Sequence, residues 1–281
     1  MADPRREDRR AGGHRPRPAA AYAHLVRAQA RSQGQYRASF LLDAGLSALL
    51  SLVELAAVLA VFRVTPELGG FTLREVLLTA ALCEFGFQLA DLLVGNIERL
   101  AIYVRTGLMD AVLVRPLSPL GQLLATDLPF RKVGRAVQDA VVYVVVLVYA
   151  DLDWTPARAV LAVIAPVAAA ALFAAVFIAG ASVAFWWIDS GEFANAFTYG
   201  GRTFAQYPVP LYPSWLRGTF AYGLGFAFAG YQPMLALCGR SDPLGTPAWL
   251  AWSMPVVAAI AWAAAIALWR TGIRHYRSTG S

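Results

Sequence analysis

Apolar residues fall in long uninterrupted runs, separated by short polar connections. Crossing the hydrocarbon of a bilayer takes about 20 largely apolar residues in a helix. Residues 40–62, 73–95 and 159–187 meet that need, as does 247–269, and 134–150 makes a shorter run. Between 189 and 238 the pattern is mixed. On hydropathy alone, 215–237 reads as a further span, whereas 190–208 carries Glu192, Asn195 and Arg202. The last run holds Trp249, Trp252, Trp262 and Trp269, and tryptophans at its ends suit the membrane–water interface. Gly180 and Ala184, four apart in the fourth run, suit close helix packing.

The composition agrees with a membrane solvent. Hydrophobic residues make up 58% of the 281 and charged residues only 15%, against roughly 25% charged in a soluble domain. Of 24 basic residues, nine precede residue 39, six lie in 96–135 and three follow the last run. Basic residues concentrate in cytoplasmic connections, so both termini and the 96–133 loop are expected inside the cell. Termini on one side require an even number of spans, and six is the natural count. The fold class expected is an all-α polytopic membrane protein with six transmembrane helices. Residues 1–21, rich in Arg, Pro and Gly, read as a disordered cytoplasmic tail and lack the apolar core of a signal peptide. Residues 22–40 read as an amphipathic helix on the membrane surface, and 276–281 as a C-terminal tail. The Arg-dominated composition suggests a GC-rich bacterial genome, and hence the bacterial plasma membrane. Cys83 and Cys238 sit in apolar stretches without metal or disulfide spacing.

No phosphate-cradling G-x-x-x-x-G-K-[ST] loop, zinc-protease helix motif or nucleophile elbow is present. No catalytic residue or metal ligand set is expected, and the chain does not read as an enzyme. The segment 97–114 is amphipathic, with Leu100, Ile102, Leu108 and Leu113 as its apolar positions, and Pro116 and Pro119 read as helix stops.

The segment 105–121 (RTGLMDAVLVRPLSPLG) is the most informative. It resembles the cytoplasmic loop of the permease subunits of type-2 ABC exporters, through Arg105, Gly107, Asp110, Leu113, Arg115, Pro116 and Leu117. A second stretch, 205–237, is similar to that family's pattern near the last two spans, through Tyr207, Pro208, Pro213, Trp215 and Pro233. The resemblance extends over 22–275, with the small six-span ABC-2-like subfamily as the nearest named group. It implies a single transmembrane domain whose fifth span is 190–208, followed by re-entrant helices over 213–238. It implies that 97–119 contains a coupling helix seated on a separate ATPase. It implies partnership with a second permease copy or a paralogue in a homo- or heterodimer, in contact with membrane lipids and with no nucleic acid. No cofactor is then expected on this chain, ATP and Mg being held by the ATPase.

Acidic residues inside the runs add candidate chemistry. Asp43 and Glu54 share one helical face, as do Glu84 and Asp91. A carboxylate at bilayer depth is costly and faces a cavity or a partner. Glu54, Glu84 and Asp91 are therefore candidates to line an export path. The alternatives are interhelical hydrogen bonds with Ser47, Ser51 or Gln88, or proton coupling in a secondary transporter.

Overall fold

The computed structural model describes residues 37–125 and 130–277. The tail 1–21 and most of the surface helix expected over 22–40 lie outside them, as does 278–281. The described residues are helical throughout: α1 (Arg37–Val64), α2 (Leu73–Val94), α3 (Leu100–Arg105), α4 (Leu108–Leu113), α5 (Pro119–Ala125), α6 (Phe130–Tyr149), α7 (Pro156–Ser182), α8 (Gly191–Ala205), α9 (Ser214–Leu216), α10 (Tyr231–Cys238) and α11 (Met254–His275). Single 3-10 turns link several of them.

Four segments are long and apolar enough to cross a membrane: Gly45–Val64, Leu73–Arg105, Pro156–Phe185 and Met254–His275. Helix α6 is long enough but carries Arg131, Lys132, Arg135 and Asp139. Helix α8 has 15 residues, about 22 Å of helix against a hydrocarbon core of about 30 Å.

Helix α7 is the hub, packed against α2, α8 and α11, while α2 also packs on α6. Residue size explains this position. The α7 sequence is rich in alanine, and small side chains let helix backbones approach. A Cβ on Gly86 of α2 would lie 2.5 Å from the Ala169 Cβ of α7, and one on Gly180 of α7 would lie 3.3 Å from Ala194 of α8. Aromatic rings fill the wider spaces. Phe87 meets Phe173 edge to face at 5.3 Å and Phe177 at 5.5 Å. Helix α1 stands apart, packing mainly on α6. One polar contact sets its register, Gln138 Nε2 donating to Ser51 Oγ at 2.9 Å.

Two ends of the bundle can be told apart. One, here called basal, gathers the 95–113 segment, the end of α7 and the end of α11: Phe185 packs on Trp269 at 5.2 Å and on Tyr276 at 6.2 Å. The apical end is pinned by Arg240, whose Nη1 lies 2.7 Å from both Glu75 carboxylate oxygens. Its Nη2 reaches the Gly70 carbonyl at 2.6 Å, and its guanidinium covers the Phe71 ring at 4.3 Å.

The final helix begins later than the apolar run suggests. Residues Ala248–Trp252 form a separate 3-10 turn, and α11 starts at Met254 with Pro255 in its first turn, where proline's missing N–H costs nothing. The expected span 247–269 is therefore displaced to Met254–His275. Trp269 is 5% exposed against Phe185, in core packing rather than an interfacial belt.

Candidate functional site: a basal ridge and an intramembrane ion pair

Beyond α2 the chain does not continue as one amphipathic helix. Gly95–Arg99 tightens to a 3-10 turn, α3 ends at Arg105, and α4 restarts at Leu108. The break is Gly107, at φ +73°. That left-handed conformation is disfavoured for residues with a Cβ. No other atom lies within 4 Å of the Cβ position there, so the backbone alone selects glycine. Helix α4 ends before Arg115 and Pro116, both exposed, and Pro119 opens α5 rather than stopping a helix. The buried amide of Gln122 closes the turn between them, donating to the Val112 carbonyl at 3.0 Å and the Leu117 carbonyl at 3.1 Å.

The segment presents two faces. Leu100, Met109 and Val112 are buried in the chain's own core. Leu100 is thus spent internally and offers no surface to a partner, contrary to the sequence expectation. Ile102 is 57% exposed, Leu108 51%, Leu113 39% and Val114 85%. Together with Arg105 and Arg115 they form an apolar ridge flanked by charge. Side-chain bonds hold the ridge to the bundle. Arg105 Nη2 pairs with Asp189, between α7 and α8. The Tyr276 hydroxyl, beyond α11, donates to Asp110 Oδ1 at 3.0 Å. Partial burial and that hydrogen bond push the Tyr276 phenol up to about 12, so it stays a donor at any physiological pH.

The second constellation lies deeper. Arg202 of α8 donates through Nε to Glu84 Oε1 of α2 at 2.7 Å, and the Gln206 amide donates to the same oxygen. The Cys83 thiol lies 3.6 Å from the Arg202 carbonyl, and the guanidinium stands 5.2 Å from the Phe87 ring centre. Glu84 is thus neutralised by an arginine from another helix, not by Ser47, Ser51 or Gln88. Glu54 is exposed on α1, within electrostatic reach of this pair and of Asp139 on α6. Asp91 is buried near the basal end and bound by Lys132, whose Nζ is 2.6 Å from its carboxylate; the pair fastens α2 to the start of α6. The side chain of Asp43 lies outside the described residues.

The other expected residues fall in the broken stretch after α8. Pro208 is buried, Tyr207 is half-buried, and Pro213 and Trp215 are exposed. Helix α9 runs on as a π-helical stretch Arg217–Gly223, and the chain then turns at Gly225 (φ +84°) into α10. There Pro233 is buried, together with every residue from Tyr231 to Leu237. Gly230 permits this insertion: a Cβ would stand 2.8 Å from the Thr79 carbonyl oxygen and 2.9 Å from that of Ala205. Asp242 closes the loop beyond α10, accepting from Tyr231 at 2.5 Å and Thr246 at 2.6 Å. Among the described residues no group of acidic, histidine or cysteine side chains could hold a metal ion. Arg202 was visible in the sequence as an intramembrane charge; its partner was not, because 118 residues separate it from Glu84.

A helical bundle with several membrane-length helices, an internal ion pair and a structured basal loop is that of a polytopic membrane protein. Residues 48–280 match the sequence model of the family described as ABC-2 family transporter protein. The chain belongs to that family. No curated protein and no solved structure matches it.

Proposed function

From ABC-2 family membership we infer that this chain is a multi-pass membrane component of an ABC transporter. We propose that it is the permease subunit of an ATP-driven exporter, and that the ridge over 102–115 docks a separate ATPase. The path is shared with a second copy or a paralogous permease in the bacterial plasma membrane. In this arrangement α1, α2, α6, α7, α8 and α11 make six crossings, α8 extended by the turn at Pro208. The stretch from α9 through α10 re-enters from outside, and the basal end with both termini faces the cytoplasm. ATP and Mg belong to the ATPase, and this chain has no catalytic role.

The observation that carries the proposal is the exposed ridge. Ile102, Leu108 and Val114 are more than half exposed on a segment whose backbone is held by Met109, Val112 and Gln122. The ridge is bonded to the α7–α8 turn through Asp189 and to the end of α11 through Tyr276. Tilting it would pull on both helices that pack against α7 or continue from it, which is what a lever from ATPase to pathway needs. A proton-coupled carrier instead needs a carboxylate free to exchange protons; Glu84 is held by Arg202 and Gln206, which leaves that reading Glu54, exposed on α1.

Photo-crosslinkers at Leu108 and Val114 test the docking. Capture of a chain bearing a phosphate-binding loop is the expected result. Crosslinks to anionic lipid alone would make the ridge a surface anchor and overturn the assignment.

A further inference from the structure

A cavity opens at the basal end, between the 3-10 turn after α2, the last turns of α7 and the start of α8. Its walls include Glu98, Phe177, Ala181, Ala184, Ala194 and Asn195. Tyr199 stands within reach of the Glu98 carboxylate. Its Oε1 is buried with no hydrogen-bond partner. A buried acceptor left unmade is costly, so a ligand donor that draws the Glu98 carboxylate toward the cavity recovers that cost.

The surroundings select the charge of that donor. Lys132, in electrostatic reach of Glu98, is committed to Asp91, touching both its carboxylate and its carbonyl, and Asp91 itself adds negative charge beside Glu98. Arg105 is committed to Asp189. The N-terminus of α8 borders the cavity, and Glu192 in its first turn offsets the partial positive charge there. The wall opposite is aromatic: Phe177 lines the space and meets the Tyr199 ring edge to face at 6.4 Å. A carboxylate oxygen beside an aromatic wall suits an ammonium group, by ion pairing and by attraction to the ring face. The alanines accommodate methyl or methylene groups, and Ser190, Asn195 and Thr198 add polar lining.

We propose that this cavity receives the ammonium head of a cationic amphiphile, and that it is the site where the exporter takes up its substrate. The proposal rests on the exporter reading for its role in transport, and on the cavity alone for its chemistry. Ala101, on α3 next to the docking ridge, also lines the cavity, so an occupant touches the same segment that the ATPase is proposed to move.

Calorimetric titration of the purified permease in lipid nanodiscs, without ATPase, tests the site. The probes are butylammonium and its neutral analogue 1-butanol. The wild-type chain is expected to bind butylammonium saturably and at least about tenfold tighter than 1-butanol, the ratio that one charge-assisted bond supplies. Glu98→Gln is expected to abolish that preference. Equal binding of the two probes by the wild type, no saturable ammonium binding, or unchanged preference in Glu98→Gln would each overturn the proposal. The comparison of the two probes on the unmutated chain stands even where Glu98→Gln fails to fold. None of these outcomes bears on ATPase docking, which is read from the ridge variants.

Discussion

Helices α1 and α7 are equally plausible membrane spans by hydropathy, yet they lead opposite lives. The most apolar window of α7 is 72% buried inside the chain and that of α1 is 0% buried. Apolar character does not distinguish them, because lipid tails are as apolar as a protein core. Side-chain size does. Helix α7 meets its neighbours with alanines and Gly180 and keeps its large rings, Phe173 and Phe177, at the shared seams. Helix α1 displays Leu42, Leu46, Leu49, Leu50 and Leu52, all more than half exposed. Small residues alone do not bury a helix: α1 also carries Gly45, Ala48 and Ala56, but nothing lies within 4 Å of a Cβ placed on Gly45.

That contrast is open to attack by substitution. The largest effect is expected at Gly86, where any side chain collides with Ala169. Gly86→Leu is expected to abolish a monodisperse, folded permease on size-exclusion chromatography. Glu84→Gln ranks next. It leaves Arg202 facing a neutral amide in a half-buried site, and breaking such a pair costs about 3–5 kcal/mol in a fully buried setting; a fall in thermal midpoint and loss of export are both expected. The double variant Glu84→Leu/Arg202→Met should recover most of the midpoint, since it removes both charges together. Phe173→Ala, in the α7 seam, should cost on the order of 2 kcal/mol, the cavity part of the penalty that remains when lipid is the alternative solvent. Leu49→Ala and Leu52→Ala on α1 should change the midpoint of the isolated chain by no more than about 0.5 kcal/mol equivalent. A large loss for either leucine would mean that α1 is packed after all.

The sequence made the helical membrane class legible because hydropathy over 20 residues is a direct record of solvent. It located the basal segment because Gly107 and Pro116 punctuate it locally. What it missed depends on contacts between distant elements. The Glu84–Arg202 pair joins α2 to α8, and no local pattern announces it. Leu100 and Ile102 both read as apolar docking positions, yet a separation of two residues sets them about 200° apart on a helix, and one is buried while the other is exposed. The displaced start of α11 follows from the separate turn over Ala248–Trp252, where tryptophan and alanine read as helix by composition. Glu98 drew no notice beside a stretch of stronger motif residues; its significance lies in an oxygen left without a partner.

The ridge carries the functional proposal, and Gly107 is the joint between α3 and α4. Gly107→Trp forces a bulky side chain and a strained backbone onto the surface proposed to meet the ATPase, while leaving the α2–α7 seam untouched. The measurement is the stoichiometry of the ATPase subunit that co-purifies with the wild-type permease, taken on the variant alongside its thermal midpoint and its export activity. Loss of the ATPase, or ATP hydrolysis uncoupled from export, with a midpoint lowered only by the local strain at residue 107 is the expected result. Full ATPase stoichiometry with normal export in Gly107→Trp would contradict the assignment of 102–115 as the docking lever.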